Sequence, residues 1–212
     1  MMKKGIIFDL DGTLWDSCPQ ITEGWNKAIE ECEDIDFKLT IEDVRSVMGK
    51  TPKEIAVTLF NKVTEERAME IMKKCFEEEE KIIREKGGVL FPKLIENLEE
   101  LKKDYELFIV SNCQDGYIQD FLDFYKLRSY FKDYENAGRT KLNKDKNIEL
   151  VVKRNNLDKA LYLGDTEGDY KAAKLAGVPF VHAKYGFGTV RDAEYSINSF
   201  EELKDIARKI LN

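Results

Sequence analysis

The stretch Gly5-Ile-Ile-Phe-Asp9-Leu-Asp11-Gly12-Thr13 passes from a short apolar run to two carboxylates separated by one residue, and then to a glycine. An apolar run of this length, ended by a polar residue, reads as a strand buried on both faces. Core packing does not explain the two aspartates that follow it. At about 4 Å and an effective dielectric near 20 they repel by roughly 4 kcal/mol. A metal ion, or a proton on one of them, would relieve that repulsion. The plainer reading is a turn in which an aspartate caps the chain and Gly12 supplies a positive φ.

Working outward, Leu107-Phe-Ile-Val-Ser111, Ala160-Leu-Tyr-Leu-Gly-Asp165 and Val178-Pro-Phe-Val-His182 repeat the pattern. Helical spacing fills the intervals, as in Leu94, Leu98 and Leu101 or Ile148, Val151 and Val152. Strands alternating with helices give an α/β fold, a Rossmann-like parallel sheet. Ser199-Phe-Glu-Glu202 has the form of a capping box opening a last helix, with Leu203, Ile206, Ala207 and Ile210 on one face. From Pro19 to Lys86 no strand-like run occurs. Thr40 and Thr64 offer N-caps there, and Gly49 and Gly87-Gly88 offer stops. The expected organisation is a core of residues 1–16 and 88–212 with an all-helical domain of residues 17–87 inserted after the first strand. The acidic run Glu77 to Glu80 reads as a solvated helix face rather than a binding patch.

The 212 residues suffice for one core and a smaller insert. With 34 Lys and Arg against 41 Asp and Glu, the net charge of -7 disfavours nucleic acid and anionic membranes as partners. No apolar run approaches the roughly 18 residues of a membrane span. His182 is the single histidine, which removes multi-histidine zinc sites and leaves no spare partner for a Ser or Cys triad; a structural role is expected for it. Cys18, Cys32, Cys75 and Cys113 have no metal-binding spacing and read as free thiols in a cytoplasmic, reducing setting.

Ligands of open parallel sheets bind beyond the carboxyl ends of the strands. That edge is expected to gather Asp9, Asp11, Ser111, Asn112, Asp165 and Asp169, with a lysine from the segment Lys141 to Lys146. Such a set suits a hard divalent cation, Mg2+, together with a phosphate group.

In its motifs the sequence resembles the haloacid dehalogenase superfamily of aspartate-nucleophile phosphohydrolases, in the branch of phosphoglycolate phosphatase and beta-phosphoglucomutase. Four motifs match in order: Asp9-Leu-Asp-Gly-Thr13, Ser111-Asn112, a lysine in 141–146, and Gly164-Asp165-x-x-x-Asp169. The resemblance spans essentially the whole chain and implies a helical cap that closes over the core. It implies that Asp9 is nucleophile and metal ligand, and that Asp11 is general acid and base, with its carbonyl on the metal. Asp165 would bind Mg2+ with Asp169 in support, while Thr13, Ser111, Asn112 and a lysine would hold the phosphoryl group. Lys144 is taken as that lysine for its spacing to Asn147-Ile148, with Lys141 as the alternative; neither is followed by the family's usual proline. Phe91-Pro92-Lys93-Leu94 likewise departs from the family's proline-glycine turn.

The implied activity is Mg2+-dependent hydrolysis of a small phosphoester through an aspartyl phosphate, by a monomer or dimer. A phosphomutase is the runner-up, and a non-catalytic binding protein the third reading. Gly49-Lys50-Thr51 imitates the end of a nucleotide-binding P-loop, but Val44 stands where its first glycine belongs. The resemblance places Gly49 and Lys50 in the cap's specificity loop instead, beside the alternative of an exposed turn. Trp15 is expected to pack and Cys113 to be passive. Tyr185-Gly-Phe-Gly188 is expected as a loop beside the site.

Overall fold

The computed structural model describes residues 2–212. The chain runs through β1 (Lys4–Phe8), β2 (Trp15–Asp16), α1 (Cys18–Glu30), α2 (Ile41–Val47), α3 (Pro52–Leu59), α4 (Glu65–Lys86) and β3 (Val89–Leu90). It continues through α5 (Leu94–Leu101), β4 (Glu106–Ser111), α6 (Tyr117–Phe124), β5 (Phe131–Asn136), α7 (Ala137–Thr140) and α8 (Lys144–Arg154). The last elements are β6 (Lys159–Gly164), α9 (Glu167–Leu175), β7 (Phe180–Ala183), β8 (Tyr195–Ile197) and α10 (Leu203–Leu211).

Six strands form one parallel sheet in the order β5-β4-β1-β6-β7-β8. Both faces of β1 are covered, as its unbroken apolar run requires. Ile6 and Phe8 pack with Leu94 and Leu98 of α5 and Leu203 and Ala207 of α10, while Ile7 packs with Ile148 and Val151 of α8 and Ala173 of α9. Each of the isoleucine, leucine, valine and phenylalanine side chains contributes about 1.5–3 kcal/mol by leaving water. The central strands β1, β4 and β6 therefore end side by side, and their carboxyl ends carry Asp9, Ser111 and Asp165.

Two sheet strands escaped the sequence reading. The edge strand β5 reads Phe-Lys-Asp-Tyr-Glu-Asn and is largely polar and partly exposed, so it lacks the apolar run that marks its neighbours. The strand β8 has only three residues. A two-stranded antiparallel ladder also joins Trp15 to Leu90 and Asp16 to Val89, where the helical segment leaves and rejoins the sheet.

Helices α1 to α4 fill the interval between those two short strands. Thr40 caps α2 in a capping box with Asp43, and Thr64 caps α4 through the amide of Arg67. A further box, Thr51 with Glu54, opens α3. Helix α2 stops at Val47 with Met48 as its C-cap, and Gly49, the next residue, turns the chain away with φ +79°, as expected of a helix stop. Gly87, with φ +65°, does end α4.

The expected capping box at Ser199 is not formed. Its side chain makes no capping bond, a short 3-10 turn spans Phe200–Glu202, and Glu202 instead accepts from the amide of Asn198 at 3.1 Å. Lys93 takes the left-handed conformation, φ 57°, at the start of α5, the geometry that a glycine would supply without a Cβ penalty. None of the helices among the described residues is long and apolar enough to cross a membrane.

Candidate active site

The turn after β1 is tight. The amide of Leu14 donates to the carbonyl of Leu10 at 2.8 Å, and Gly12 adopts φ +77°. A Cβ on Gly12 would lie 2.3 Å from Asp165 Oδ2, so this position needs glycine for conformation and for space. The turn directs Asp9 and Asp11 to the carboxyl edge. Asp9 is buried, at 2% exposure, and one carboxylate oxygen from each of Asp9, Asp165 and Asp169 lies within 4.8 Å of the others.

Lys144 enters this cluster from the first turn of α8. Its Nζ donates to Asp169 Oδ1 at 2.6 Å and lies 3.0 Å from Asp9 Oδ1. Burial opposes its charge, yet Asp169 and Asp9 hold its pKa above the ordinary lysine range. Lys141, the alternative, is exposed and donates to the carbonyl of Gly138. Burial and the charge of Asp169 push the Asp9 carboxyl up to about 7, against the pull of Lys144. Asp165 is pushed well above the carboxylate range by burial, then by Asp169 and Asp9. Asp169 also closes a capping box with Thr166 at the start of α9, which fixes its rotamer.

Three donors converge on a single oxygen of Asp11. Trp15 Nε1 at 2.9 Å, Ser17 Oγ at 2.6 Å and Tyr117 Oη at 3.0 Å all reach Oδ1, which leaves Oδ2 free of these three donors. Burial raises the pKa of Asp11, and these bonds lower it in part. Trp15 is fully buried against Tyr117, Phe121 and Tyr125, so it packs as expected while its indole N–H orients Asp11.

Residues 185–188 form the expected loop beside the site, and hydrogen bonds pin it there. Phe187 N donates to Asp165 Oδ2 at 2.7 Å, and Tyr185 Oη donates to the carbonyl of Thr13 at 2.9 Å. His182 is buried on β7 beside Phe180, with neither ring nitrogen hydrogen-bonded among the described residues. All four cysteines are free, and burial pushes the Cys113 thiol well up, away from nucleophilic reactivity.

A cavity of about 40 Å³, room for a few water molecules, opens between this edge and the helical segment. It is lined by Asp9, Asp11, Ser111, Asn112 and Tyr117 from the sheet side, and by Lys50, Phe76 and Glu79 from the helices. The two sides touch across it: Asn112 Nδ2 donates to the carbonyl of Gly49 at 2.9 Å, and Gln114 Nε2 donates to Glu79 Oε1 at 2.7 Å. Gly49 and Lys50 thus border the cavity, and one of the two N–H groups of Asn112 Nδ2 is used on the helical side of it. Thr13 is fully buried, its hydroxyl unpaired among the described residues.

Glu79 was missed. The run Glu77 to Glu80 is not uniformly solvated, because Glu79 is 2% exposed and Trp25 Nε1 donates to its Oε2 at 2.6 Å. The signal lay in Gly24 of α1: a Cβ there would stand 2.9 Å from Glu79 N, so the two helix backbones pack closely and turn this glutamate inward.

The donor set is all oxygen. Among the described residues Asp165 Oδ1 is buried without a hydrogen-bond donor and Asp9 Oδ1 has only the Lys144 ion pair, which fits a hard divalent cation between them. Residues 6–183 match the model of the haloacid dehalogenase-like hydrolase family. The chain belongs to that family. The phosphoglycolate phosphatase of Escherichia coli K12 is 26% identical over 87% of this hydrolase and 82% of its own length. The enzyme of the same name from Salmonella typhimurium is 27% identical over the same shares. A haloacid dehalogenase-like hydrolase from Streptococcus pneumoniae has the same fold, with a TM-score of 0.83, 23% identity and 98% of each chain covered. With these relatives the hydrolase is an enzyme of the phosphatase type.

Proposed function

We propose that the hydrolase is a Mg2+-dependent phosphatase of a small phosphoester, in which residues 17–87 form a cap over a catalytic core of 1–16 and 88–212. The observation that carries this reading is the convergence of Asp9, Asp165 and Asp169 on one point beside Lys144 and Asp11. Asp9, Asp165 and the carbonyl of Asp11 would hold Mg2+, with Asp169 in support. The ion would supply charge neutralisation that lets a phosphate group approach ionised Asp9.

Asp9 attacks phosphorus, forming a bond from its carboxylate oxygen as the ester P–O bond breaks. Asp11 gives its proton from Oδ2 to the departing oxygen. Water then attacks the aspartyl phosphate, Asp11 takes a proton from it, and Asp9 is released with inorganic phosphate. Lys144, Ser111, Asn112 and Thr13 stabilise the phosphoryl oxygens, the kind of electrostatic positioning that dominates phosphoryl transfer. The orphaned hydroxyl of Thr13 is a donor available to a phosphoryl oxygen. Because the cavity admits only a few waters, the cap opens to load substrate, and its closure excludes bulk solvent. Lys50 and Gly49 belong to its specificity loop.

The test is phosphate release from a panel of small phosphoesters, headed by phosphoglycolate because relatives carry that name, with Mg2+ and with EDTA. Magnesium-dependent release that disappears in Asp9→Asn supports the proposal. Release that survives in Asp9→Asn refutes the nucleophile, and conversion of a sugar phosphate to its isomer without release would identify a mutase.

A further inference from the structure

Glu79 takes no part in the phosphoryl chemistry, yet its carboxylate borders the same cavity as Asp9 and Asp11. Both protein groups that touch it are neutral donors, Trp25 Nε1 on Oε2 and Gln114 Nε2 on Oε1. Among the described residues no cation pairs with it. Burial raises its pKa to about 8, against those two bonds. A buried carboxylate without a cation is a costly way to satisfy two N–H groups, since a neutral amide oxygen or a backbone carbonyl would do so with less desolvation. A carboxylate offers about four acceptor directions, and the protein uses two.

The cap surface around it is otherwise apolar. Ile21, Met48, Pro52, Ile55 and Phe76 line the cavity there, and Lys50 is the other charged side chain among the cap residues. We propose that Glu79 is a specificity-determining residue that accepts a hydrogen bond from the leaving group, selecting small alcohols with a second donor, a hydroxyl or an ammonium. Plain alkyl alcohols leave Glu79 without that partner. A carboxylate-bearing alcohol brings negative charge to a cavity lined by Asp9, Asp11 and Glu79, where burial already disfavours ionised carboxylates, Lys144 is engaged by Asp9 and Asp169, and Lys50 is the one cation among the described lining residues. The inference rests on the phosphatase reading and names the substrate class for it.

The experiment compares kcat/KM for glycerol phosphate, phosphoethanolamine, n-propyl phosphate and phosphoglycolate in the wild type, Glu79→Gln and Glu79→Leu. In the wild type one or both donor-bearing esters exceed propyl phosphate by roughly tenfold or more, and phosphoglycolate ranks below them. A hydroxyl ligand favours the glycerol ester, and a cationic ligand favours phosphoethanolamine. Glu79→Gln lowers the preference for phosphoethanolamine by roughly 10- to 100-fold and spares part of that for glycerol phosphate, because an amide oxygen still accepts. Glu79→Leu brings both ratios toward that of the propyl ester. Should the leucine variant fail to fold, the wild-type ranking and the glutamine variant decide. Phosphoglycolate or propyl phosphate ranking first in the wild type, or ratios unmoved by Glu79→Gln, overturns the assignment while leaving the phosphatase intact. Absence of release from every ester removes the phosphatase reading and this inference with it.

Discussion

Tyr117 Oη lies 3.0 Å from Asp11 Oδ1, so a core helix holds the side chain that the turn after β1 projects. Removing that hydroxyl leaves Trp15 and Ser17 on the same oxygen and frees the carboxyl to rotate. Tyr117→Phe is expected to lower kcat by roughly 10- to 150-fold, the scale of one neutral hydrogen bond to a charged group, with KM nearly unchanged. Steady-state phosphate release checks it, and a rise in KM at constant kcat would show that Tyr117 serves binding instead.

The two lysines of the 141–146 segment separate cleanly by stability. Lys144 is the buried cation among three carboxylates, so Lys144→Met leaves their charge uncompensated and is expected to cost about 3–5 kcal/mol. Lys141 is exposed, and Lys141→Ala is expected to stay within about 0.5 kcal/mol. Urea unfolding at pH 8 measures both; equal losses would contradict the assignment of the motif lysine.

Magnesium is expected to stabilise the fold through the same cluster. At a hundred times its Kd an ion that binds only the folded state adds about 2.7 kcal/mol, or roughly 5–10 °C in Tm for a chain of this size. Asp165→Asn is expected to abolish the shift. Thermal melts with Mg2+ and EDTA decide, and a full shift retained in Asp165→Asn would place the ion elsewhere.

Glu79 gives a pH signature. Its pKa in the folded state is about 8, above its ordinary value of 4.5, so the native chain holds a proton that the unfolded chain releases. Stability from this group is therefore complete below about pH 4.5 and is lost as pH rises toward 8, by at most about 1.4 kcal/mol per unit. Glu79→Gln does not titrate, so its stability relative to the wild type is expected to climb across that window. A pH-independent difference in unfolding free energy would mean that Glu79 stays ionised throughout.

The parts of the fold that were legible in the sequence share one property: their side chains are dictated by burial on both sides. Gly5 to Phe8, Leu107 to Val110 and Leu161 to Leu163 have no solvent face, so apolar runs mark them. Strand β5 has an exposed face and carries Lys132 and Asp133, and two-residue β2 and β3 are too short for any period to register. The site was legible for a different reason, since Asp9, Asp11, Asp165 and Asp169 stand at strand ends where packing gives carboxylates no purpose. Tyr117, Ser17 and Trp15 were not, because their bonds to Asp11 arise from where α6 and the start of α1 meet in space. Glu79 was hidden by its neighbours: Glu77, Glu78 and Glu80 share its chemistry, and only the packing of Gly24 separates it from them.

The antiparallel pairing of Trp15–Asp16 with Val89–Leu90 has a consequence for descent as well as for mechanism. It holds the two ends of the intervening helices side by side whatever lies between them. Closing the chain there costs little more for a long segment than for a short one, because loop entropy grows only logarithmically with length. Exchange of that whole segment can therefore leave β1, the Asp9 turn and the sheet unaltered. If the segment is the cap proposed above, inheritance can keep the reaction while replacing the choice of substrate.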